Sequence, residues 1–168
     1  MRRVLILGPC GSGKSTLATA LAARLDLPLF HMDRLAWRPG WIDSTQAEVR
    51  AALAPVVSQD RWLIEGNYGS TLDARLPHAD TVVLLDYPIT LCLTRLARRW
   101  WRWRGRTRPD MTPGCPERID PAFWWYVARW NTGPRRRLEE ALSHFEGTLL
   151  RHRRPRETAR WLAGLAPR

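Results

Sequence analysis

Eight consecutive residues, Gly8-Pro9-Cys10-Gly11-Ser12-Gly13-Lys14-Ser15, set the chemistry open to this sequence. Their spacing matches G-x-x-x-x-G-K-[ST], a loop that binds phosphate. Gly8, Gly11 and Gly13 let successive backbone N–H groups converge on an anion, and the start of the following helix adds positive potential. Ser12 and Thr16 complete the cradle, Lys14 reaches the terminal phosphates, and the Ser15 hydroxyl is a ligand for Mg²⁺. Lys14 is the only lysine among 27 basic residues, all the others being arginine. So strong an arginine bias reads as coding preference. A compact ammonium kept at one position reads as a requirement. The loop therefore predicts ATP and Mg²⁺ as ligands.

Three carboxylates fall where apolar runs end. Asp33 follows Pro28-Leu29-Phe30-His31, Glu65 closes Arg61-Trp62-Leu63-Ile64, and Asp86 closes Asp80 to Leu85. Open parallel sheets bind ligands outside the carboxyl ends of their strands. A charge at the end of a buried strand also needs a partner or a metal. Glu65 and Asp86 are thus candidates for the metal side, and Asp33 is the candidate base for an acceptor hydroxyl. Asp86 has a second reading, as an anionic cap for the helix opening at Pro88. His31 alternates with Phe30 and reads as a packed or hydrogen-bonded core histidine. Cys10 reads as turned away from the phosphate loop.

The elements that must position these residues follow in order. Val4 to Leu7 is a short apolar strand before the glycine loop, and Leu17, Ala18, Leu21, Ala22 and Leu25 recur at helical spacing after it. A capping box at Thr45 and Glu48 predicts a helix to about Ser58. Asp120-Pro121 predicts an N-cap and first turn for a short helix over Phe123 to Trp130. A helix over Pro134 to Phe145, a strand at Thr148 to Arg151 and a terminal helix after Pro155 complete the alternation. The expected fold is a three-layer α/β/α domain spanning 1–168, with about five parallel strands. Residues 100–134 read as a lid-like insertion. Between Arg95 and Arg137 stand twelve arginines against Asp110, Glu117 and Asp120, together with six of the ten tryptophans. Those tryptophans read as lid packing or as a base-stacking platform.

The 45% hydrophobic and 26% charged composition suits a single folded core, and no apolar run reaches the ~18 residues of a membrane span. The apolar stretch after Arg3 is too short for a signal peptide. Cys10, Cys92 and Cys115 are odd in number and widely spaced, which fits neither a disulfide framework nor a zinc site. The expectation is a cytoplasmic protein without membrane contact.

With these elements placed, the chain resembles the adenylate-kinase-like P-loop kinases. It is most similar to the bacterial group labelled DNA topology modulation proteins (FlaR-type). The resemblance rests on Gly8 to Ser15, His31-Met32-Asp33, Glu65-Gly66-Asn67-Tyr68, Leu72 to Leu76, Asp86-Tyr87-Pro88, Arg106 to Asp110 and Gly114 to Arg118. It implies that Glu65-Gly66 lies near metal and acceptor and that Asp86 has Walker B character. It further implies that Arg95 and Arg99 serve the nucleotide base and the transferring phosphates, with Arg135, Arg136 or Arg137 returning after the lid. Where nucleoside monophosphate kinases carry Gly-x-Pro-Arg, this chain has Gly66-Asn67-Tyr68-Gly69.

Two functions follow as expectations. One is an ATP-dependent phosphotransferase acting on a small molecule, nucleoside or nucleotide. A hydroxyl acceptor would use Asp33, whereas a phosphate acceptor would need a guanidinium clamp such as Arg75 or Arg118. The missing arginine after the third strand favours the hydroxyl. The other is a nucleic-acid-binding protein with ATP as a switch, affecting DNA topology, because arginine and tryptophan interleave over Arg98 to Arg108.

Overall fold

The computed structural model describes residues 1–166, so the last two residues of the expected domain lie outside it. The chain runs from β1 (Arg3–Leu7) through the glycine loop into α1 (Lys14–Leu25), then β2 (Leu29–His31) and a short α2 (Met32–Ala36). A small hairpin, β3 (Trp37–Arg38) with β4 (Ile42–Asp43), precedes α3 (Gln46–Val57), β5 (Trp62–Glu65) and β6 (Thr81–Leu85). There follow α4 (Ile89–Trp103), α5 (Pro121–Ala128), α6 (Pro134–Leu142), β7 (Thr148–His152) and α7 (Pro155–Gly164). Five strands pair in the order β2-β5-β1-β6-β7, every pair parallel.

Alternation along the strands builds the three layers. Leu5 and Leu7, with Trp62, Ile64, Val82 and Leu84, pack toward α3 and α6. Val4 and Ile6, with Leu63, Val83 and Leu85, pack toward α1 and α7. All four residues Val4 to Leu7 are fully buried, and each contributes about 1.5–3 kcal/mol of apolar burial. β1 thus sits at the centre of the sheet, and its end launches the glycine loop.

Local signals set several boundaries. Thr45 caps α3 in a reciprocal box, its hydroxyl accepting from Glu48 N–H at 3.2 Å while its own N–H donates to the Glu48 carboxylate at 2.7 Å. Asp120 accepts from Ala122 and Phe123 N–H at 2.9 and 3.2 Å and starts α5. Two differences from the sequence expectation matter for function. The first residues of the 100–134 segment continue α4 as far as Trp103, so the irregular lid begins only at Arg104. The segment after His31 is an element in itself, α2 followed by the β3–β4 hairpin. Its strands are two residues long, too short for any periodic signal, and its turn depends on left-handed Gly40 and Trp41.

The hairpin and the lid are fastened together. Gly40 N–H donates to Gly114 O at 2.9 Å, Trp41 Nε1 donates to Pro116 O at 2.9 Å, and Thr112 Oγ1 donates to Trp37 O at 2.7 Å. Among the described residues no helix is long and apolar enough to cross a membrane.

Candidate active site

A cleft of about 980 Å³ opens where β1, β2 and β5 end, beneath the joined hairpin and lid. Its floor is the glycine loop. Gly11 has φ +83°, and a Cβ there would stand 2.3 Å from the Cys92 carbonyl oxygen, so the loop lies directly on α4. Gly8 is equally constrained, at φ +140° and 2.5 Å from Leu85 O. Lys14 is buried and its Nζ donates to the carbonyls of Gly8 and Pro9 at 3.0 and 3.1 Å. The buried Ser12 hydroxyl has no hydrogen-bond partner among the described residues. That orphan hydroxyl, inside a ring of left-handed glycines with an ammonium at its edge, fits a phosphate group. Ser15 and Thr16 begin α1 and line the same cleft. Cys10 lines the cleft as well, correcting the expectation that it turns away; burial pushes its thiol up.

Strand parity decides which carboxylates reach the loop. Glu65 shares its side of β5 with Leu63, which packs toward α1, and it meets Ser15 there. The Glu65 carboxylate is buried and accepts from Ser15 Oγ at 3.2 Å and from His31 Nδ1 at 2.8 Å. His31 is therefore hydrogen-bonded, as its position suggested, but to a site carboxylate across the β2–β5 register. Asp110, from the lid, comes to the same place. Burial alone would raise its pKa, yet Arg108 and a hydrogen bond from Ser15 hold it below the usual value. Ser15 with two carboxylates nearby is a hard oxygen set that suits Mg²⁺ sharing its shell with substrate phosphates and water. Among the described residues no three His, Cys, Asp or Glu side chains form a metal cage.

Asp86 follows Leu84 on the opposite face of β6, toward α6. Its carboxylate accepts from Arg135 Nη2 at 2.8 Å and Arg151 Nη1 at 3.1 Å. Neither Asp86 nor Arg135 lines the main cleft; both border a smaller one with Arg153 and Arg154. The structure therefore does not bring the expected metal-side Asp86 or the expected catalytic Arg135 to the phosphate loop. Each satisfies the other.

Asp33 stands near the start of α2, about one-third exposed to the cleft. Burial, and then the negative charge of Glu65, raises its pKa. Tyr68 donates to its Oδ1 at 2.8 Å, and burial raises the Tyr68 pKa so that the phenol stays a donor. Tyr68 belongs to the Gly66-Asn67-Tyr68 turn, whose Asn67 side chain brackets Gly8. Its Oδ1 accepts from Gly8 N–H at 2.9 Å, and its Nδ2 donates to Gly8 O at 2.7 Å. Arg75 holds this turn from behind. It is fully buried and donates to the carbonyls of Gly66, Asn67, Tyr68 and Thr71 at 2.9, 2.5, 3.2 and 3.3 Å. Arg75 is therefore a scaffold cation and not a clamp for an acceptor phosphate. Burial pulls its pKa down to about 10.

The arginines of the cleft come from α4 and the lid. Arg95 Nη1 donates to Ser12 O at 2.8 Å and its guanidinium lies 5.6 Å from the Tyr87 ring centre. Arg99 and Arg108 both donate to Glu117, and Arg108 also donates to Asp110 at 2.6 Å. Arg108 Nη2 lies 3.8 Å from Asp33 Oδ2. Arg118 stacks 5.1 Å over Trp41, and both line the cleft. The structure thus brings together Gly8, Gly11, Ser12, Gly13, Lys14, Ser15, Thr16, Asp33, Glu65, Arg95 and Arg99. It adds Asn67, Tyr68, Arg108, Asp110 and Glu117, which no spacing in the sequence marked. The strings containing them were the only signal.

Comparison with known proteins agrees with this architecture. The chain is similar over residues 4–64 to the ATPase family associated with various cellular activities (AAA). A gluconokinase from Sinorhizobium meliloti 1021 superposes with a TM-score of 0.55 at 19% identity, covering 98% of this chain and 93% of that one. The shikimate kinase from Acinetobacter baumannii, solved with shikimate, gives 0.62 at 14% identity, covering 97% and 89%. The fold is one these solved structures share, a five-stranded parallel sheet with helices on both faces. The shikimate kinase of Aquifex aeolicus gives 0.55 at 15% identity, covering 96% and 93%. No curated protein sequence matches the chain. The likeness is of architecture, since identity is low throughout.

Proposed function

We propose that this protein is an ATP-dependent phosphotransferase that moves the γ-phosphoryl group to a hydroxyl of a small molecule. The observation that carries the reading is Asp33, a carboxylate of raised pKa that opens onto the same cleft as Lys14. A phosphate acceptor needs no base, whereas a hydroxyl acceptor benefits from one. The names of the structural neighbours, a gluconokinase and shikimate kinases, support a small-molecule acceptor.

In this reading the glycine loop and Lys14 bind the nucleotide phosphates. Lys14 exchanges the Gly8 and Pro9 carbonyls for phosphate oxygens, and the buried Ser12 hydroxyl gains a partner. Arg95, against Ser12 and Tyr87, borders the nucleotide. Ser15, with Glu65 and Asp110 beside it, would hold Mg²⁺, which when bound offsets phosphate charge. Asp33 accepts the hydroxyl proton as the new P–O bond forms and the bond from the γ-phosphorus to the β–γ bridging oxygen breaks, releasing ADP, while Tyr68 fixes the carboxylate in place. Arg99 and Arg108 offset charge on the transferring group. The fastened hairpin and lid keep out water, which would otherwise compete as acceptor.

The test is a transfer screen with γ-labelled ATP over nucleosides, nucleotides and hydroxylated metabolites. Label should appear on a hydroxyl, and Asp33→Asn should suppress it. Label arriving only on a monophosphate, with Asp33→Asn unimpaired, would overturn the hydroxyl assignment. That outcome would instead point to Arg118 as the clamp.

A second reading, ATP-regulated nucleic-acid binding, rests on two exposed tryptophan–arginine pairs. Trp101 and Trp125 are 74% and 65% exposed, each beside an arginine, Arg104 at 5.7 Å and Arg129 at 5.6 Å. Exposed aromatics with cations are a stacking recipe for single strands. Oligonucleotide binding that falls steeply with salt and changes on adding Mg·ATP would favour this reading.

A further inference from the structure

The lid holds one buried carboxylate that touches two guanidiniums at once. Glu117 Oε1 accepts from Arg99 Nε and Nη2 at 3.1 and 2.9 Å, and its Oε2 accepts from Arg108 Nε at 2.7 Å. Glu117 and Arg108 are 8% and 9% exposed. The Glu117 backbone is pinned as well, since its N–H donates to Arg106 O at 2.9 Å and its carbonyl accepts from Gly105 N–H at 3.3 Å. Arg99 comes from α4 and Arg108 from the irregular lid, so Glu117 is the joint between them. Two guanidiniums at such range repel each other, and a shared carboxylate removes that repulsion while fixing both forks. The pair also faces the chemistry. Arg108 reaches Asp110 at 2.6 Å, beside Ser15, and lies 3.8 Å from Asp33.

We infer that Glu117 is a positioning residue that sets Arg99 and Arg108 as a rigid pair over the transferring phosphoryl group, without itself touching the nucleotide. The inference rests on the phosphotransferase reading. It carries a signature that a merely structural carboxylate lacks. Neutralising Glu117 makes the cleft one charge more positive, so a polyanion should bind at least as well. The loss should fall on orientation, and hence on rate.

The experiment compares wild type, Glu117→Gln, Arg108→Ala and the double variant. Mg·ATP affinity is read by calorimetry. Single-turnover loss of the γ-phosphate is followed to the acceptor found in the screen or, with excess enzyme, to water. Glu117→Gln should keep the Mg·ATP dissociation constant within threefold, or tighten it, while the transfer rate falls at least tenfold. In the Arg108→Ala background the same substitution should cost under threefold, because the pair it aligned is already broken. Should Glu117→Gln fail to fold by circular dichroism, Arg108→Lys keeps the charge without the Nε contact and should show the same split. An unchanged rate in the informative variant would overturn the inference, and so would rate and affinity falling together. A wild type that fails to bind Mg·ATP or to transfer its phosphate overturns the phosphotransferase reading itself.

Discussion

Replacing Arg75 by methionine tests how the scaffold reaches the chemistry. The side chain is fully buried and donates to four main-chain carbonyls, with no carboxylate among its partners. Hydrogen bonds from a charged donor are worth about 1.5–3 kcal/mol each, but burying the unpaired cation offsets much of that sum. Burial pulls the Arg75 pKa down to about 10, the direction such an offset takes. Methionine fills the space and removes the charge, yet leaves the carbonyls of Gly66 and Asn67 without donors, while Tyr68 O keeps the Thr71 N–H and hydroxyl. A net cost of about 3 kcal/mol follows, the scale of a buried group left unsatisfied. For a domain of this size each kcal/mol lowers Tm by about 2–4 °C, so a fall of about 6–12 °C is expected in a thermal melt. The turn it supports carries Asn67, which brackets Gly8, and Tyr68, which holds Asp33. Turnover should therefore drop as well, even at temperatures where the variant is folded. A melt within 2 °C of wild type, with normal turnover, would refute the chain of support from Arg75 to the loop.

Substitutions at three other positions probe the cleft. Lys14→Ala should abolish transfer with the fold intact by circular dichroism, and Lys14→Arg should fail too, because a planar guanidinium does not fit a loop lying on α4. Gly11→Ala places a methyl group 2.3 Å from Cys92 O at φ +83°, so Mg·ATP binding measured by calorimetry should weaken at least tenfold. Asp33→Asn should lower turnover by roughly 10²- to 10⁴-fold with little change in nucleotide affinity. In wild type the rate should fall as pH drops through a carboxylate pKa above the ordinary 3.8, since the ionised form is the base. Stability runs the other way. The folded state holds the Asp33 proton more tightly than the unfolded chain, so the stability present below pH 3.8 is lost as pH rises through the raised folded value. Asp33→Asn should thus melt higher than wild type at pH 7, and the gain should vanish in acid.

The fold was legible where the chain is regular. The strands at Val4–Leu7 and Thr81–Leu85 are continuous apolar runs, and the helix starts at Thr45 and Asp120 are written in capping chemistry. The hairpin after α2 was not legible, because two-residue strands have no period and the turn rests on a left-handed tryptophan. Among site residues, the glycine loop, Lys14 and Ser15 are local in sequence and hence readable. Asp86 was misplaced because ending a strand says nothing about which face the side chain takes. Parity relative to Leu84, together with knowing which helix covers that face, separates it from Glu65. Arg75 read as a ligand clamp since the turn it bonds, Gly66 to Thr71, is irregular backbone, and no period in the sequence shows that it folds back on the guanidinium. Arg108, Asp110 and Glu117 meet across irregular backbone, where spacing carries no geometric information.

The central claim is transfer of a phosphoryl group to a hydroxyl, and phosphorus NMR tests it most directly. Wild-type protein, Mg·ATP and the acceptor panel should produce a new phosphomonoester resonance in step with ADP, one for one. Lys14→Ala should produce neither. ATP that persists unchanged with every acceptor, or that yields only inorganic phosphate, would contradict the account.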